Sequence, residues 1–253
     1  ARAASGKDNV AICGYHGWHD WYLSANLKTK NSLDAHLIPG LNPLGVPKNL
    51  AKSSFGFNYG NFKELVKIVN NQKIGIIKME VSRNTEPNIN FLKQVRNLAT
   101  KKNIILIFDE CTTGFRQSFG GLHKKVGVIP DMAILGKALG NGYAITAILG
   151  KDGIMNKAKN SFMSSTFWSE RIGPTAALKT LEIMERDKTW VTITTLGNYL
   201  ISIWKKLAQR HKLKIIVNGI PSLAKFSIQS KNSQAYKTYI TQEMLKKGFL
   251  GSN

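Results

Sequence analysis

Cysteine is scarce in this sequence, and the scarcity argues against one class of protein. The 253 residues include only Cys13 and Cys111, too few for the disulfide framework of a small secreted domain. Long apolar runs are also lacking: none approaches the roughly 20 residues of a membrane-spanning helix. We therefore expect a protein of the reducing cytoplasm that does not cross a membrane.

Acidic residues are few as well, with 15 against 36 lysines and arginines and a formal net charge of +21. Such a balance can indicate nucleic-acid binding. The lysines are spread along the chain, however, in clusters no larger than pairs such as Lys101–Lys102. No zinc-finger spacing or basic, aromatic-interleaved module is present. The charge therefore indicates a lysine-rich surface, and nucleic-acid binding is unlikely. A basic protein that binds nucleic acid or an acidic partner remains the alternative of another class.

Apolar runs alternate with amphipathic segments along the first two thirds of the chain. The runs at 74–79, 104–108 and 132–135 suit buried strands, and residues 88–102 show helical periodicity. This alternation predicts an α/β fold, a mostly parallel sheet flanked by helices. Further expected elements are strands at 9–13 and 143–149, an irregular stretch at 26–60, and a helix at 169–186 whose inner face includes Ile172.

The remaining third has a different pattern. A long amphipathic helix at 189–209, whose apolar face includes Leu196 and Leu200, precedes two short strands, at 213–217 and 223–228, and a last helix. We predict a large domain over residues 1–188. Residues 189–253 would form a linking helix and part of a smaller α/β C-terminal domain.

Carboxylates and a lysine follow neighbouring apolar runs. Asp109 and Glu110 come directly after the run at 104–108, and Lys137 follows the run at 132–135. Ligands of open α/β sheets bind at the carboxyl ends of the strands. An acid and a lysine at adjacent strand ends suit a Schiff-base cofactor whose ring nitrogen needs a carboxylate partner.

The segments FDECTTGFR (108–116) and GVIPDMAILGKALGNGY (127–143) resemble the centre of the class III aminotransferases. These are pyridoxal-phosphate enzymes of fold type I, and the glutamate-1-semialdehyde aminomutases belong with them. GYHGWHDWY (14–22) and SSTFWSERIGPTAAL (164–178) fit the same family in the right order. The resemblance runs through most of the chain.

The resemblance implies pyridoxal 5'-phosphate as cofactor and a role for several residues. Lys137 would hold the cofactor aldehyde as a Schiff base and then move the substrate's α-proton, while Asp109 would pair with the protonated ring nitrogen. Tyr15 would stack on the ring. Thr166 would reach the cofactor phosphate of a partner subunit, which implies a homodimer acting on a small amino or keto substrate.

Other positions fit the family less closely. Cys111 lies where the family usually places a branched aliphatic residue against the ring. Glu80 matches a strand-end glutamate, although Val81 replaces the proline that follows it. His16 is a further candidate active-site residue. His16 and His19 lack the third ligand that a metal site needs, so no metal is predicted.

Two further expectations concern the whole enzyme. The family's phosphate-binding loop would precede Ala1, so we expect the sequence to be an internal part of a longer enzyme. The segment SRNTEPNIN (82–90) departs from the glycine-containing run associated with the aminomutases. This favours an aminotransferase for an amino-sugar-like or ω-amino substrate, with a glutamate-1-semialdehyde aminomutase as the alternative. The stretch 26–60 is a candidate lid.

Overall fold

A six-stranded sheet forms the centre of the fold, and its order is β2-β1-β3-β4-β5-β6. A computed structural model describes residues 1–29, 31–36, 39–82 and 85–250. Neighbouring strands from β2 to β5 are parallel, and β6 runs antiparallel to β5. The strands are β1 Asn9–Cys13, β2 Ser54–Gly56, β3 Ile74–Glu80, β4 Ile105–Asp109, β5 Met132–Leu135 and β6 Ala147–Gly150.

Helices connect and cover these strands. In the first part of the chain they are α1 Arg2–Ser5, α2 Asp20–Leu23, α3 Ala25–Lys28, α4 Phe62–Asn71, α5 Ile89–Lys101, α6 Leu122–Val126 and α7 Asp152–Met155. Further along the chain they are α8 Ile172–Asp187, α9 Thr189–Arg210 and α10 Ser233–Lys246. Short 3₁₀ turns lie at Lys48–Leu50, Lys137–Leu139, Asn156–Asn160 and Pro221–Leu223. Within the described ranges, no helix has the length and apolar character needed to cross a membrane.

The central strands β1, β3 and β4 are buried on both faces, as the apolar runs predicted for β3 and β4. Leu106 and Phe108 of β4 pack with the apolar faces of α4, α5 and α6 in one core layer. Ile105 and Ile107 face the other way and pack with residues near α2 and α3. Successive side chains of β4 thus point into opposite layers, and this alternation decides which carboxylate reaches the candidate site.

Side chains cap two of the helices. The Asn61 side chain accepts a hydrogen bond from the backbone N–H of Glu64 at the start of α4. Asn88 accepts one from Phe91 N–H at the start of α5. Both bonds satisfy amide groups that have no partner inside the helix.

The predicted irregular stretch 26–60 is wrong in part, because it contains α3 and strand β2. β2 has only three residues and pairs along β1 at the edge of the sheet. A strand this short contains no apolar run from which the sequence could predict it. Its hydrogen-bonded pairing with β1 is what makes these residues a strand. Lys30, Leu37 and Ile38 of this stretch lie outside the described residues, as do Arg83 and Asn84 of the segment 82–90.

Two other predicted elements have different bounds. The strand predicted at 143–149 is shorter and begins at Ala147, because residues 140–146 form turns and irregular backbone. The helix predicted at 169–186 begins at Ile172. Ile172, predicted to face inward, is 67% exposed, since its place in the first turn of α8 lies beyond the core that Ala177 and Leu181 join.

A second, two-stranded antiparallel sheet follows α9. Its strands are β7 Ile215–Asn218 and β8 Lys225–Ile228. They fall where the sequence predicted strands, and α10 contacts β8. The domain boundary after residue 188 stays a prediction.

Candidate active site

Asp109 is the centre of a buried polar cluster at the carboxyl edge of the sheet. It is the last residue of β4 and lies opposite Glu80 of β3. Its Oδ2 is 3.0 Å from His16 Nδ1 and 3.0 Å from Lys78 Nζ. Its Oδ1 accepts a hydrogen bond of 3.2 Å from the backbone N–H of Cys111. The cluster thus joins three segments that are far apart in sequence.

The cluster keeps Asp109 ionised. Burial alone would raise the pKa of its carboxyl, but the hydrogen bond from His16 and the charge of Lys78 outweigh burial and hold the pKa well below its ordinary value. Burial lowers the pKa of His16, and its hydrogen bond to Asp109 only partly offsets this. His16 is therefore neutral at neutral pH and donates its Nδ1 proton to Asp109.

Tyr15 is held beside this cluster by its backbone. Its N–H donates a 3.0 Å hydrogen bond to Glu80 Oε2, and Glu80 is buried. Its half-buried ring makes edge contacts with Trp18 and Tyr22, at centroid distances of 5.7 and 6.1 Å. Tyr15, His16, Glu80 and Asp109 therefore meet at one edge of the sheet, and the register of β1, β3 and β4 brings them there.

Gly14 makes this approach possible, because its φ of +107° is rarely adopted by other residues and a Cβ there would lie 2.4 Å from Glu80 Oε2. We expect Gly14→Ala to lower the free energy of unfolding by about 2 kcal/mol or more. The measurement is the urea midpoint at unchanged m-value.

Gly60→Ala is the matched control for this substitution. Gly60 also has a positive φ, +84°, but nothing lies within 4 Å of the position of its Cβ. The control carries backbone strain without the contact to Glu80. Equal losses of stability in the two variants would contradict a steric role for Glu80.

Lys137 lies next to this cluster along the sheet edge. Asp109 is in register with Ile134 of β5, and the chain reaches Lys137 three residues later. Lys137 is exposed, and its Nζ donates a 2.7 Å hydrogen bond to Thr112 Oγ1. Its φ of +44° is unusual for a residue other than glycine, and such strain concentrates at functional sites. An amine on one strand end and a charged carboxylate on the next thus face one region of the edge.

Cys111 is a half-buried thiol between these two groups. Burial, the negative charge of Asp109 and a hydrogen bond to it raise the pKa of the thiol to about 11. The neutral thiol is a poor nucleophile. A Cβ on Gly136 would lie 3.2 Å from Cys111 Sγ, so the sulfur packs against the turn that leads into Lys137. The predicted place of Cys111 against a cofactor ring stays a prediction.

Glu110, one residue beyond Asp109, has a structural role on the opposite face of the sheet. It is fully buried, and its carboxylate accepts hydrogen bonds from the backbone N–H groups of Leu122 (2.5 Å) and His123 (2.9 Å). His123 Nδ1 and Thr113 Oγ1 are its other partners, at 2.6 and 3.0 Å. Glu110 thus anchors the start of α6.

Thr166 lies apart from the cluster. It is on an exposed segment before α8 and, within the described residues, makes no hydrogen bond with Asp109, His16 or Lys137. Large apolar side chains around it are open to solvent: Phe162 is 97% exposed and Phe167 is 73% exposed. The described part of the chain contains no group of three or more His, Cys, Asp or Glu side chains placed to hold a metal.

Sequence reasoning missed two members of the site. Lys78 interrupts the apolar run IGIIKME of β3, and a charged residue in a strand buried on both faces was the available signal. Thr112, the partner of Lys137, carries no such signal, because a threonine in a loop is ordinary. The turn after Glu110 alone brings Thr112 to the lysine.

Comparison with known families gives a match over most of the chain. The model of the family described as aminotransferase class-III matches residues 84–252. A 3-aminobutyryl-CoA aminotransferase of Cloacimonas acidaminovorans (strain Evry) is 33% identical over 251 residues, which are 96% of this chain and 56% of that protein. A glutamate-1-semialdehyde 2,1-aminomutase of Wigglesworthia glossinidia brevipalpis is 30% identical and covers 89% of this chain and 53% of its own length. The chain thus spans about half the length of these relatives.

Solved structures share the fold. The FumI protein of Sphingopyxis sp. MTA144 superposes with a TM-score of 0.84 at 20% identity, over 100% of this chain and 59% of that chain. An omega-transaminase from Sphaerobacter thermophilus gives a TM-score of 0.78 at 21% identity, over 98% of this chain and 63% of its own. The predicted α/β fold, a mostly parallel sheet flanked by helices, is therefore confirmed.

Proposed function

The chain belongs to the class III aminotransferase family, and we propose that its protein transfers an amino group with pyridoxal 5'-phosphate bound at the Asp109 edge of the sheet. The observation that carries the proposal is the ionised, buried carboxylate of Asp109 one strand away from the exposed amine of Lys137. When bound, the cofactor supplies an aldehyde that reacts with amines and a ring that withdraws electrons.

The residues at this edge fit such a group. Asp109 offers a negative charge to a protonated ring nitrogen, and Tyr15 offers a flat ring held in place through its backbone bond to Glu80. Cys111 gives a small apolar surface nearby. In this proposal Lys137 Nζ would hold the aldehyde and, once released, would move the proton away from the substrate carbon that bears the amine.

The neutral imidazole of His16 orients Asp109. Its Nδ1–H holds Oδ2 at 3.0 Å, and its ring stacks with Trp21 at a centroid distance of 6.4 Å. Because His16 is buried and carries no charge, it fixes the carboxylate without cancelling its negative charge. The proposal keeps a cytoplasmic setting, where a thiol such as that of Cys111 stays reduced.

We favour an aminotransferase over an aminomutase. The departure of segment 82–90 from the aminomutase pattern supports this choice. So does the 33% identity to the 3-aminobutyryl-CoA aminotransferase, an enzyme named for an amine at carbon 3 of an acyl chain. The substrate class is then an ω-amino or amino-sugar-like compound, and the large domain would comprise residues 1–188.

The test supplies the full-length protein with glutamate-1-semialdehyde alone, and separately with an ω-amino donor and a keto acceptor. Transfer only in the second mixture supports the aminotransferase. Efficient isomerisation of the semialdehyde without an acceptor would establish the aminomutase instead. Salt-sensitive binding of polynucleotide, with no cofactor absorbance and no transfer, would favour the basic binding protein.

We also propose a homodimer in which Thr166 reaches the partner's cofactor phosphate. Exposed Phe162, Phe167 and Trp168 next to Thr166 suit burial against a second copy, and a C₂ pairing would create two equivalent sites. We expect Thr166→Ala to weaken cofactor binding about tenfold or more while the dimer persists. Equilibrium dialysis and light scattering measure the two quantities.

Thr175→Ala is the control for the dimer prediction. Thr175 is exposed on α8 and lies close to Thr166 in sequence. Its replacement by alanine should leave cofactor affinity unchanged. An active monomer at the assay concentration would refute the shared site. Equal affinities in the two threonine variants would refute the role of Thr166.

A further inference from the structure

Lys78 is a charged residue that interrupts the apolar run of β3, before Glu80 at the end of the strand. Its neighbours Ile77 and Met79 are fully buried, and its own side chain is only 13% exposed. The ammonium lies 3.0 Å from Asp109 Oδ2 and 5.3 Å from the centroid of the Trp21 ring. A lysine that has lost most of its hydration needs a counter-charge, and Asp109 supplies it.

Asp109 has nearly all of its acceptor capacity in use. Its Oδ2 accepts from His16 and Lys78, and its Oδ1 accepts from Cys111 N–H. An ionised carboxylate has about four acceptor positions. The thiol of Cys111, a weak donor, also hydrogen-bonds to Asp109, so within the described part of the chain a ring nitrogen would take the place of that weak donor.

Lys78 is also the partner that carries a full charge. His16 is neutral and the Cys111 amide is a dipole, so Lys78 is the one of these three partners whose charge offsets the negative charge of Asp109. Resting on the proposed function, we propose that Lys78 is a positioning residue that sets the charge Asp109 presents to the ring nitrogen of the cofactor. The ring nitrogen then loses its proton at a lower pH than it would beside an unpaired carboxylate.

The effect follows from Coulomb's law. A cation one carboxylate away from the ring nitrogen disfavours a second positive charge there. At an effective dielectric constant of about 20, such an interaction amounts to about one to two pKa units. A ring that holds its proton less firmly also withdraws electrons less strongly, so Lys78 moderates the reactivity of the site.

The experiment compares wild type, Lys78→Met and Lys78→Arg loaded with pyridoxal phosphate labelled with ¹⁵N in the ring. The pH midpoint at which the ring nitrogen loses its proton is read from its ¹⁵N chemical shift. We expect this midpoint to be higher by about one pH unit or more in Lys78→Met. Lys78→Arg should keep the wild-type value, since it keeps the charge.

The structure has space for the larger side chain of Lys78→Arg, and it also offers a control substitution. A cavity of about 320 Å³ beside Lys78, lined in part by Trp21, Ile76 and Ile107, can take the larger side chain. Lys151→Met removes a lysine that pairs with Asp131 at 2.7 Å, away from the Asp109 cluster, and it should leave the midpoint unchanged. Lys78→Gln, neutral but able to donate a hydrogen bond, replaces Lys78→Met if the methionine variant does not fold.

The outcomes separate the two proposals. Wild-type protein that takes up no cofactor overturns the proposed function, and this inference with it. Cofactor uptake with the same midpoint in wild type and in the neutral variant overturns the role of Lys78 alone. A midpoint in Lys78→Arg that matches the neutral variant also overturns it, because the shift would then come from packing and not from charge.

Discussion

Replacement of Lys137 by alanine is expected to lower amino-group transfer by about a thousandfold or more. In the proposed function, Nζ both binds the cofactor aldehyde and moves the α-proton, and proton transfer by a positioned group alone contributes about 10²–10⁴-fold. Alanine carries a Cβ as lysine does, so the backbone at φ +44° is strained alike in both proteins. The measurement is steady-state turnover with an amino donor and a keto acceptor.

Covalent labelling makes the Lys137 prediction specific. Borohydride reduction of the cofactor-loaded enzyme, followed by peptide mapping, should place the pyridoxyl group on Lys137 and leave Lys137→Ala unlabelled. Lys151→Ala, an exposed-lysine control, should keep both label and activity. A label on Lys78, the lysine in contact with Asp109, would overturn the assignment.

Asp109→Asn is the second large effect, with an expected loss of turnover of roughly 10²–10³-fold and cofactor binding partly retained. The amide keeps the shape of the carboxylate but has no charge to hold a proton on the ring nitrogen. It also leaves the Lys78 ammonium without its counter-charge, so we expect a loss of about 1–3 kcal/mol in the free energy of unfolding. Activity and urea denaturation measure the two losses separately.

Asp131→Asn is a closely matched control. Like Asp109, Asp131 accepts from two side chains and one backbone amide, namely Arg96, Lys151 and Leu106 N–H, although here both side chains are cations. It precedes β5, at the opposite end of that strand from Lys137. Asp131→Asn should lower the free energy of unfolding and leave the turnover of the folded protein unchanged. Near-normal turnover in Asp109→Asn would contradict the proposed pairing.

The pH dependence of stability has a definite sign. The folded-state pKa of Asp109 lies below its ordinary value of about 3.9. Its ionised form therefore adds stability above the unfolded-state pKa, and this contribution is lost as the pH falls through the folded-state value. Asp109→Asn should show a weaker loss of stability below about pH 4 than wild type does.

The sequence alone could predict the central strands and the place of the two key side chains. The apolar runs that became β3, β4 and β5 are long enough to be unambiguous, and the rule that parallel strands end at one edge brings Asp109 and Lys137 together. Strand β2 could not be predicted, because three residues without an apolar run form a strand only through pairing with β1. The contact of Lys78 with Asp109 depends on the register of β3 against β4, which no local pattern reports.

The exposed apolar side chains of α8 and α9 show a second limit of prediction from the sequence. Helical periodicity identified Ile172, Leu196 and Leu200 as an inner face, yet these residues are 67%, 60% and 43% exposed. Periodicity tells which residues share a side of a helix, and whether that side is covered depends on what packs against it. Within the described chain, the apolar sides of α8 and α9 are more exposed to solvent than their amino-acid composition suggests.

The alternation of β4 also constrains how this segment can change in evolution. Asp109 and Glu110 are adjacent but serve opposite faces, one in the site and the other at the start of α6. A single-residue insertion or deletion within Ile105–Asp109 would exchange their faces. It would turn the glutamate toward Lys78 and remove the hydrogen-bond acceptor from α6 in one step. Insertions and deletions are therefore tolerable only outside β4, so the length of this strand stays fixed while the lengths of the surrounding loops can vary.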